Sequence, residues 1–248
     1  MSETKPVVAA VAELAAEFAR RLTATAMHAI DERGRFAFAV PGGSVARAFL
    51  PALAGAPIDW RRVDLFWCDE RCVPPDDPES NFGVARSLWL GDAPDGATPR
   101  VHPLYGARRD ASGAAAPDAS QAATEATAEV ARVLGSPPVL DLALLGVGED
   151  GHVASLFPGH AALEETATPV IAIRDAPKPP PCRLTMTLPT LTRARSVCVA
   201  AFGATKSDVM RAALEDPGSP LPVARVVRGA RDPWIFLDPA AASRLGRR

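Results

Sequence analysis

The chain has 248 residues, 48% of them hydrophobic and 23% charged, a mixture that excludes disorder and fits a folded protein with a sizeable core. Twenty-seven basic residues against 29 acidic ones leave a formal net charge of −2, so no global positive field draws the protein to nucleic acid or an anionic membrane, and an anionic ligand must be held by local charges. The start, Met1-Ser2-Glu3-Thr4-Lys5-Pro6, lacks a basic and then apolar leader, and no apolar run approaches the length of a membrane span; a cytoplasmic protein organised as one domain over 1–248 is the expectation.

Taken in chain order, Val8, Val11, Leu14, Phe18, Leu22 and Met27 fall at helical spacing, with Glu13, Glu17, Arg20 and Arg21 on other faces. This predicts a long amphipathic helix from Val8 to Ile30 that stops near Gly34. Phe36, Phe38 and Val40 then alternate with Arg35, Ala37 and Ala39 as a short strand. That strand runs into Pro41-Gly42-Gly43-Ser44 and a helix-forming stretch from Val45 to Leu53. Strand, glycine-rich turn and helix form the unit that presents backbone N–H groups to a phosphate.

The rhythm recurs three times. Val63 to Cys68 ends in the charged cluster Asp69-Glu70-Arg71, and Leu140 to Leu145 ends in Gly146-Val147-Gly148-Glu149-Asp150-Gly151-His152. Ser196 to Phe202 ends in Gly203-Ala204-Thr205-Lys206 and a helical stretch to Leu214. Such near-continuous apolar strands suit a parallel sheet covered by helices, in which ligands sit outside the carboxyl ends of the strands. Residues Ala107 to Ala128 read as a loop and then a helix through Leu134, and Lys178-Pro179-Pro180-Pro181 as a stiff exposed connection.

Of the four cysteines, Cys68, Cys182 and Cys198 lie in or beside apolar runs, and the set reads as reduced core residues. A metal site on Cys68 and Cys72 needs two further ligands, and no matching Cys pair or His spacing supplies them, so no metal is expected. Four histidines are present. His28 lies within the first helix, while His102 and His160 sit in loops beside proline or glycine and read as exposed. His152 differs, because it follows Gly151 at a strand end within reach of Asp150; a neutral imidazole placed there can take a proton from water near pH 7.

Lysine is rare here. Lys5 is in the tail, Lys178 in the proline-rich connection and Lys206 at a helix start after a buried strand, whereas arginine fills the other basic positions. Lys206 offers a compact charge for a phosphate or carboxylate, and with Arg71 and a helix N-terminus it can hold a phosphate despite the negative net charge.

Five strings in this order resemble the 6-phosphogluconolactonase family: Pro41-Gly42-Gly43-Ser44, Trp67-Cys68-Asp69-Glu70-Arg71-Cys72-Val73-Pro74, Glu79-Ser80-Asn81-Phe82-Gly83, the run from Gly146 through His152 to Ser155-Leu156-Phe157-Pro158-Gly159, and Gly203-Ala204-Thr205-Lys206. Trp234 to Ala241 also fits the family's ending. The resemblance implies a Rossmann-like α/β fold, a mostly parallel sheet flanked by helices on both faces, shared with glucosamine-6-phosphate deaminases. It implies no metal and no cofactor, and a small-molecule partner, 6-phospho-D-glucono-1,5-lactone, hydrolysed in the oxidative pentose phosphate pathway. It assigns catalysis to His152, places Asp150 and Asn81 near the substrate, and gives the phosphate to Arg71, Lys206 and the Gly42-Gly43-Ser44 backbone. Pro41 and Val45 depart from the family's usual Ser and Thr or Leu.

Two other readings stand beside it. An amino-sugar-phosphate isomerase/deaminase resembles this chain in the Gly-x-Gly-x-Asp-Gly-His string but carries an acidic residue soon after the histidine, where Ser155-Leu156-Phe157-Pro158 stands here. A non-catalytic sugar-phosphate-binding domain needs an output module, and no basic helix-turn-helix is evident. The string Gly-x-Ser-x-Gly does not occur, so a serine-hydrolase elbow has no support.

Overall fold

The computed structural model describes residues 5–91, 98–106 and 118–246. Seven strands form a parallel sheet: β1 (Val7–Val8), β2 (Phe36–Val40), β3 (Val63–Trp67), β5 (Arg100–His102), β6 (Leu142–Gly146), β9 (Ser196–Ala201) and β10 (Pro233–Leu237), in the order β1-β10-β9-β6-β2-β3-β5. Every residue of β2, β3 and β9 is buried, as expected where helices cover both faces of a parallel sheet. The helices are α1 (Val11–Arg33), α2 (Gly43–Phe49), α3 (Asn81–Ala85), α4 (Ala119–Leu134), α5 (Leu188–Thr192), α6 (Ser207–Glu215) and α7 (Pro222–Gly229). Among the described residues no helix is long and apolar enough to cross a membrane.

The first helix begins later than its periodicity predicts. Val7 and Val8 instead pair with Phe236 and Leu237, covering the otherwise open edge of β10. Glu13 then accepts a bond from the Ala10 N–H at 3.3 Å, and Gly34, with φ of 75°, ends the helix by donating to the Ile30 carbonyl. The buried stripe is Leu14, Phe18, Leu22, Ala26 and Ala29, while Met27 lies on the solvent side at 55% exposure. Within that stripe Phe18 stacks on Phe49 of α2, ring centroids 4.9 Å apart.

A second sheet was not expected from sequence. Asp69-Glu70-Arg71, which reads as a strand-end cluster, is itself a strand, β4 (Asp69–Arg71), paired antiparallel with β8 (Arg183–Met186), which pairs in turn with β7 (Val170–Ile173). The chain stays extended past Cys68, and its buried backbone groups need partners, which β8 provides. Cys72 and Cys182 face each other at the end of that pairing and are only half-buried, unlike Cys68 and Cys198. The second half of the Ala-rich segment is α4, which rests on β7; residues 107–117 lie outside the described residues.

His102 is not an exposed loop residue. It sits on β5, its ring stacked on Phe66 with centroids 4.6 Å apart, and its two nitrogens meet Asp64 at 3.0 Å and Glu129 at 2.8 Å. Arg100 holds both oxygens of the same Asp64. The buried aspartate is thus paired, as burial in β3 demands.

Candidate active site

The sheet order reverses between β2 and β6. From β2 the sheet runs outward through β3 and β5, and from β6 it runs the other way through β9 and β10. In open α/β sheets the crevice outside the carboxyl ends at such a point receives the ligand. The loop after β2 is the Gly42-Gly43-Ser44 turn, with Gly43 and Ser44 exposed at the start of α2. Gly42 must lack a side chain, because a Cβ there would lie 1.7 Å from Oδ1 of Asn81.

Asn81 is therefore a brace of this loop. It is buried, its Nδ2 donates to the Asp69 carbonyl at 2.9 Å and to Asp69 Oδ1 at 3.2 Å, and its N–H donates to Glu70. Glu70 collects further bonds from the N–H groups of Arg71 and Phe82 and from Ser80 Oγ. Burial pushes its carboxyl up to about 7, against those three N–H groups. Glycine turn, β4 and α3 are in this way locked together.

The loop after β6 carries Asp150 and His152. Gly151 N–H donates to the Gly148 carbonyl and Gly148 N–H to the His152 carbonyl, folding the segment back on itself. His152 Nδ1 meets Asp150 Oδ1 at 2.5 Å. Burial pushes the imidazole below its ordinary value, against the bond and charge of Asp150. Burial works to raise Asp150 as well, but the bond and charge of His152, with Lys178 behind them, hold its carboxyl below the usual carboxylate value. With Nδ1 donating to a carboxylate, the neutral ring keeps its lone pair on Nε2. Such a ring is a base whose protonated form Asp150 stabilises.

Phe157, fully buried, supports the imidazole from behind at a centroid distance of 4.7 Å. On Phe157 also lies the guanidinium of Arg183, 5.6 Å from the ring centroid. The Ser155-Leu156-Phe157 string is anchored by Ser155 Oγ, which donates to Asp69 Oδ2 at 2.6 Å. The strand-end histidine and the β4 cluster therefore share a buried connection.

Two lysines lie close to Asp150, and two arginines stand behind the pair on β4 and β8. Lys206, at the start of α6, stands 3.8 Å from Glu149, and burial lowers its ammonium against the charge of that glutamate. Lys178 Nζ lies 3.4 Å from Asp150 Oδ2 and within electrostatic reach of both His152 and Lys206. Arg71 and Arg183 are direct neighbours across β4 and β8. Burial lowers Arg183, with Asp69 opposing and Arg71 adding to the fall. Arg71 Nη1 is steadied by the carbonyl of Glu79 at 2.7 Å and its carboxylate at 3.1 Å, while its Nε is buried without a hydrogen-bond partner among the described residues.

A continuous chain of contacts links His152 and Asp150 through Phe157, Arg183, Ser155 and Asp69 to Asn81 and the glycine turn, with Lys206 beside Glu149 and Arg71 beside Arg183. Arg183 and Lys178 join this network although their sequence context does not single them out. Arg183 sits in an unremarkable strand, and Lys178 reads as part of an exposed connection; the scarcity of lysine was the one available signal.

Comparison with known proteins agrees with the fold. Residues 9–234 match the family model described as glucosamine-6-phosphate isomerases/6-phosphogluconolactonase. A 6-phosphogluconolactonase of Streptomyces coelicolor is 41% identical over 95% of this chain and 92% of its own length. The structure of the 6-phosphogluconolactonase from Trypanosoma brucei is similar with a TM-score of 0.81 and 32% identity, covering 98% of this chain and 100% of that one. A monomeric glucosamine-6-phosphate deaminase, 19% identical over 96% of this chain and 98% of its own, shares the fold with a TM-score of 0.72.

Proposed function

The chain belongs to the glucosamine-6-phosphate isomerase/6-phosphogluconolactonase family, and we propose that its hydrolysis of 6-phospho-D-glucono-1,5-lactone to 6-phospho-D-gluconate runs on His152 as general base. The observation that carries this reading is the 2.5 Å bond between His152 and Asp150 at the switch point of the sheet, with Lys178 and Lys206 beside Asp150 and Arg183 behind Phe157.

His152 Nε2 takes a proton from water as the water oxygen bonds to the lactone carbonyl carbon. The tetrahedral oxyanion collapses by breaking the bond to the ring oxygen, and the imidazolium returns its proton to that oxygen. The new carboxylic acid ionises to solvent. No covalent bond to the protein is needed. Asp150 stabilises the imidazolium while it lasts, and a positioned base of this kind contributes about 10²–10⁴ in rate.

The phosphate carries about two negative charges at neutral pH and calls for fixed cations and N–H donors. Arg71, Arg183 and Lys206 supply the charges, and the exposed Gly43-Ser44 turn the donors. Asn81 acts from behind, by holding Asp69 against the glycine turn. The reading extends to the cytoplasm as the compartment, supported by four free thiols.

The test is to generate the lactone enzymatically and follow its loss above the spontaneous rate, for the native protein and for His152→Ala. Accelerated hydrolysis that collapses in the variant, together with no ammonia release from glucosamine 6-phosphate, is the expected outcome. Full turnover in His152→Ala would remove the base from the mechanism.

A further inference from the structure

Lys178 is held at the reaction site by more than its own side chain. It lies on the loop between β7 and β8, and buried Arg183 binds three consecutive carbonyls of that loop: Nη2 donates to Lys178 O at 3.0 Å and Pro179 O at 3.1 Å, and Nε to Pro180 O at 3.0 Å. The Ala176 N–H donates to the Pro181 carbonyl at 3.1 Å and closes the base of the loop. Three prolines fix the intervening φ angles. The backbone at 178 is set before the side chain finds a partner.

From that anchor the ammonium reaches Asp150 Oδ2 at 3.4 Å, while Oδ1 of the same carboxylate takes His152 Nδ1. Each oxygen thus has its own partner. The side chain is 44% exposed, so as a plain ion pair it would add little to stability. A lysine also suits the position better than the arginines used almost everywhere else. A guanidinium grips both carboxylate oxygens at once and would compete for Oδ1, whereas an ammonium is a point charge.

We propose that Lys178 is a positioning residue of the hydrolysis: bound to Oδ2, it fixes the Asp150 carboxylate so that Oδ1 stays on His152 Nδ1 and the imidazole presents Nε2 to water. The inference rests on the reading of His152 as general base. Lys178 acts through Asp150 and does not itself exchange a proton.

The test uses Lys178→Met in the full chain, with kcat and KM for the lactone measured over about pH 5 to 8, around the ordinary imidazole range. The charged groups acting on His152 are Asp150, Lys178 and Asp69, and Lys206 and Glu149 face the same turn. They give the two possible roles opposite signs. If Lys178 positions Asp150, its removal loosens the bond that raises the imidazole, and the acid limb of kcat/KM moves to lower pH as kcat falls. If it is only a nearby charge, its removal relieves repulsion and the limb moves up with kcat kept.

The expected result is a fall in kcat of about 10–100-fold with a much smaller change in KM, the scale of a misplaced catalytic group. The acid limb moves down, and Asp150→Asn combined with Lys178→Met is no slower than Asp150→Asn alone. An upward limb with kcat retained, a rise in KM alone, or multiplicative losses in the double variant would each overturn the proposal. Should the Met variant not fold, Lys178→Gln takes its place, and an NMR titration of His152 reads the same shift without turnover. Failure of the base assignment is seen separately, in His152→Ala.

Discussion

The imidazole of His152 lies directly over Gly148, so that a Cβ at residue 148 would sit 1.9 Å from His152 Nδ1 and 2.6 Å from Asp150 Oδ1. The third residue of Gly-x-Gly-x-Asp-Gly-His is thus glycine for the sake of the bond between the last aspartate and histidine, not for the turn itself. Gly148→Ala must push the ring and the carboxylate apart. The loop is at the rim, so the fold survives. A loss of about 10²-fold in kcat is expected, the scale of misplacing a reacting group by an ångström, with the circular dichroism spectrum unchanged. Native-like kcat in this variant would show that the close approach has no catalytic consequence.

Burial depresses the His152 imidazole, and the Asp150 bond opposes it without winning. Only the neutral ring can act as the base, so activity falls when pH drops through the value of that ring. The acid limb of kcat/KM should therefore lie below the ordinary imidazole value of about 6.5. Asp150→Asn removes the main opposing charge and leaves burial and Lys178 opposed only by Asp69. In that variant the limb should move lower still, while kcat drops at every pH because the imidazolium loses its stabilising partner. Initial rates corrected for spontaneous lactone hydrolysis give both limbs.

The parts of this site that were legible in sequence are those whose physics is local. A buried strand, a glycine turn and a following helix occupy consecutive residues, so Phe36 to Leu53 and Leu140 to His152 announce themselves. Asp150 and His152 are two residues apart, and their pairing follows from the turn between them. What stayed hidden depends on segments that share no local pattern. Arg71 opposes Arg183 only because β4 finds β8, and Lys178 reaches Asp150 only because Arg183 pins its loop. His102 failed for the same reason: its partners, Asp64 and Glu129, come from a strand and a helix distant in the chain.

Asn81 illustrates how a site residue can act from inside the protein. Its side-chain nitrogen is committed to Asp69, and its oxygen lies against Gly42. Asn81→Ala leaves the Asp69 carbonyl short of a buried donor, a loss of about 1–3 kcal/mol. The denaturation midpoint should fall accordingly, and turnover should weaken through a loosened glycine turn. Gly42→Ala should do the same by overpacking, at about 1–3 kcal/mol. Because both act on one contact, the double variant should cost less than the two single losses combined, as measured in urea. Additive losses would separate the turn from the asparagine.

The two neighbouring arginines should divide their effects between binding and folding. Arg71 keeps Nη1 on Glu79 and is 21% exposed. Its removal would take a cation from the proposed phosphate site while little of the fold depends on it. Arg71→Met is expected to raise KM by about tenfold or more, the value of one charge-assisted hydrogen bond, with a modest change in the thermal midpoint. Arg183 is buried, and three carbonyls, Ser155 Oγ and the face of Phe157 rely on it. Arg183→Met leaves those carbonyls unpaired, frees the Lys178 loop and removes the second cation. It should lower the thermal midpoint, raise KM and reduce kcat together. A variant at 183 that changed KM alone, with midpoint and kcat preserved, would make this arginine a plain ligand of the phosphate and leave the loop to its prolines.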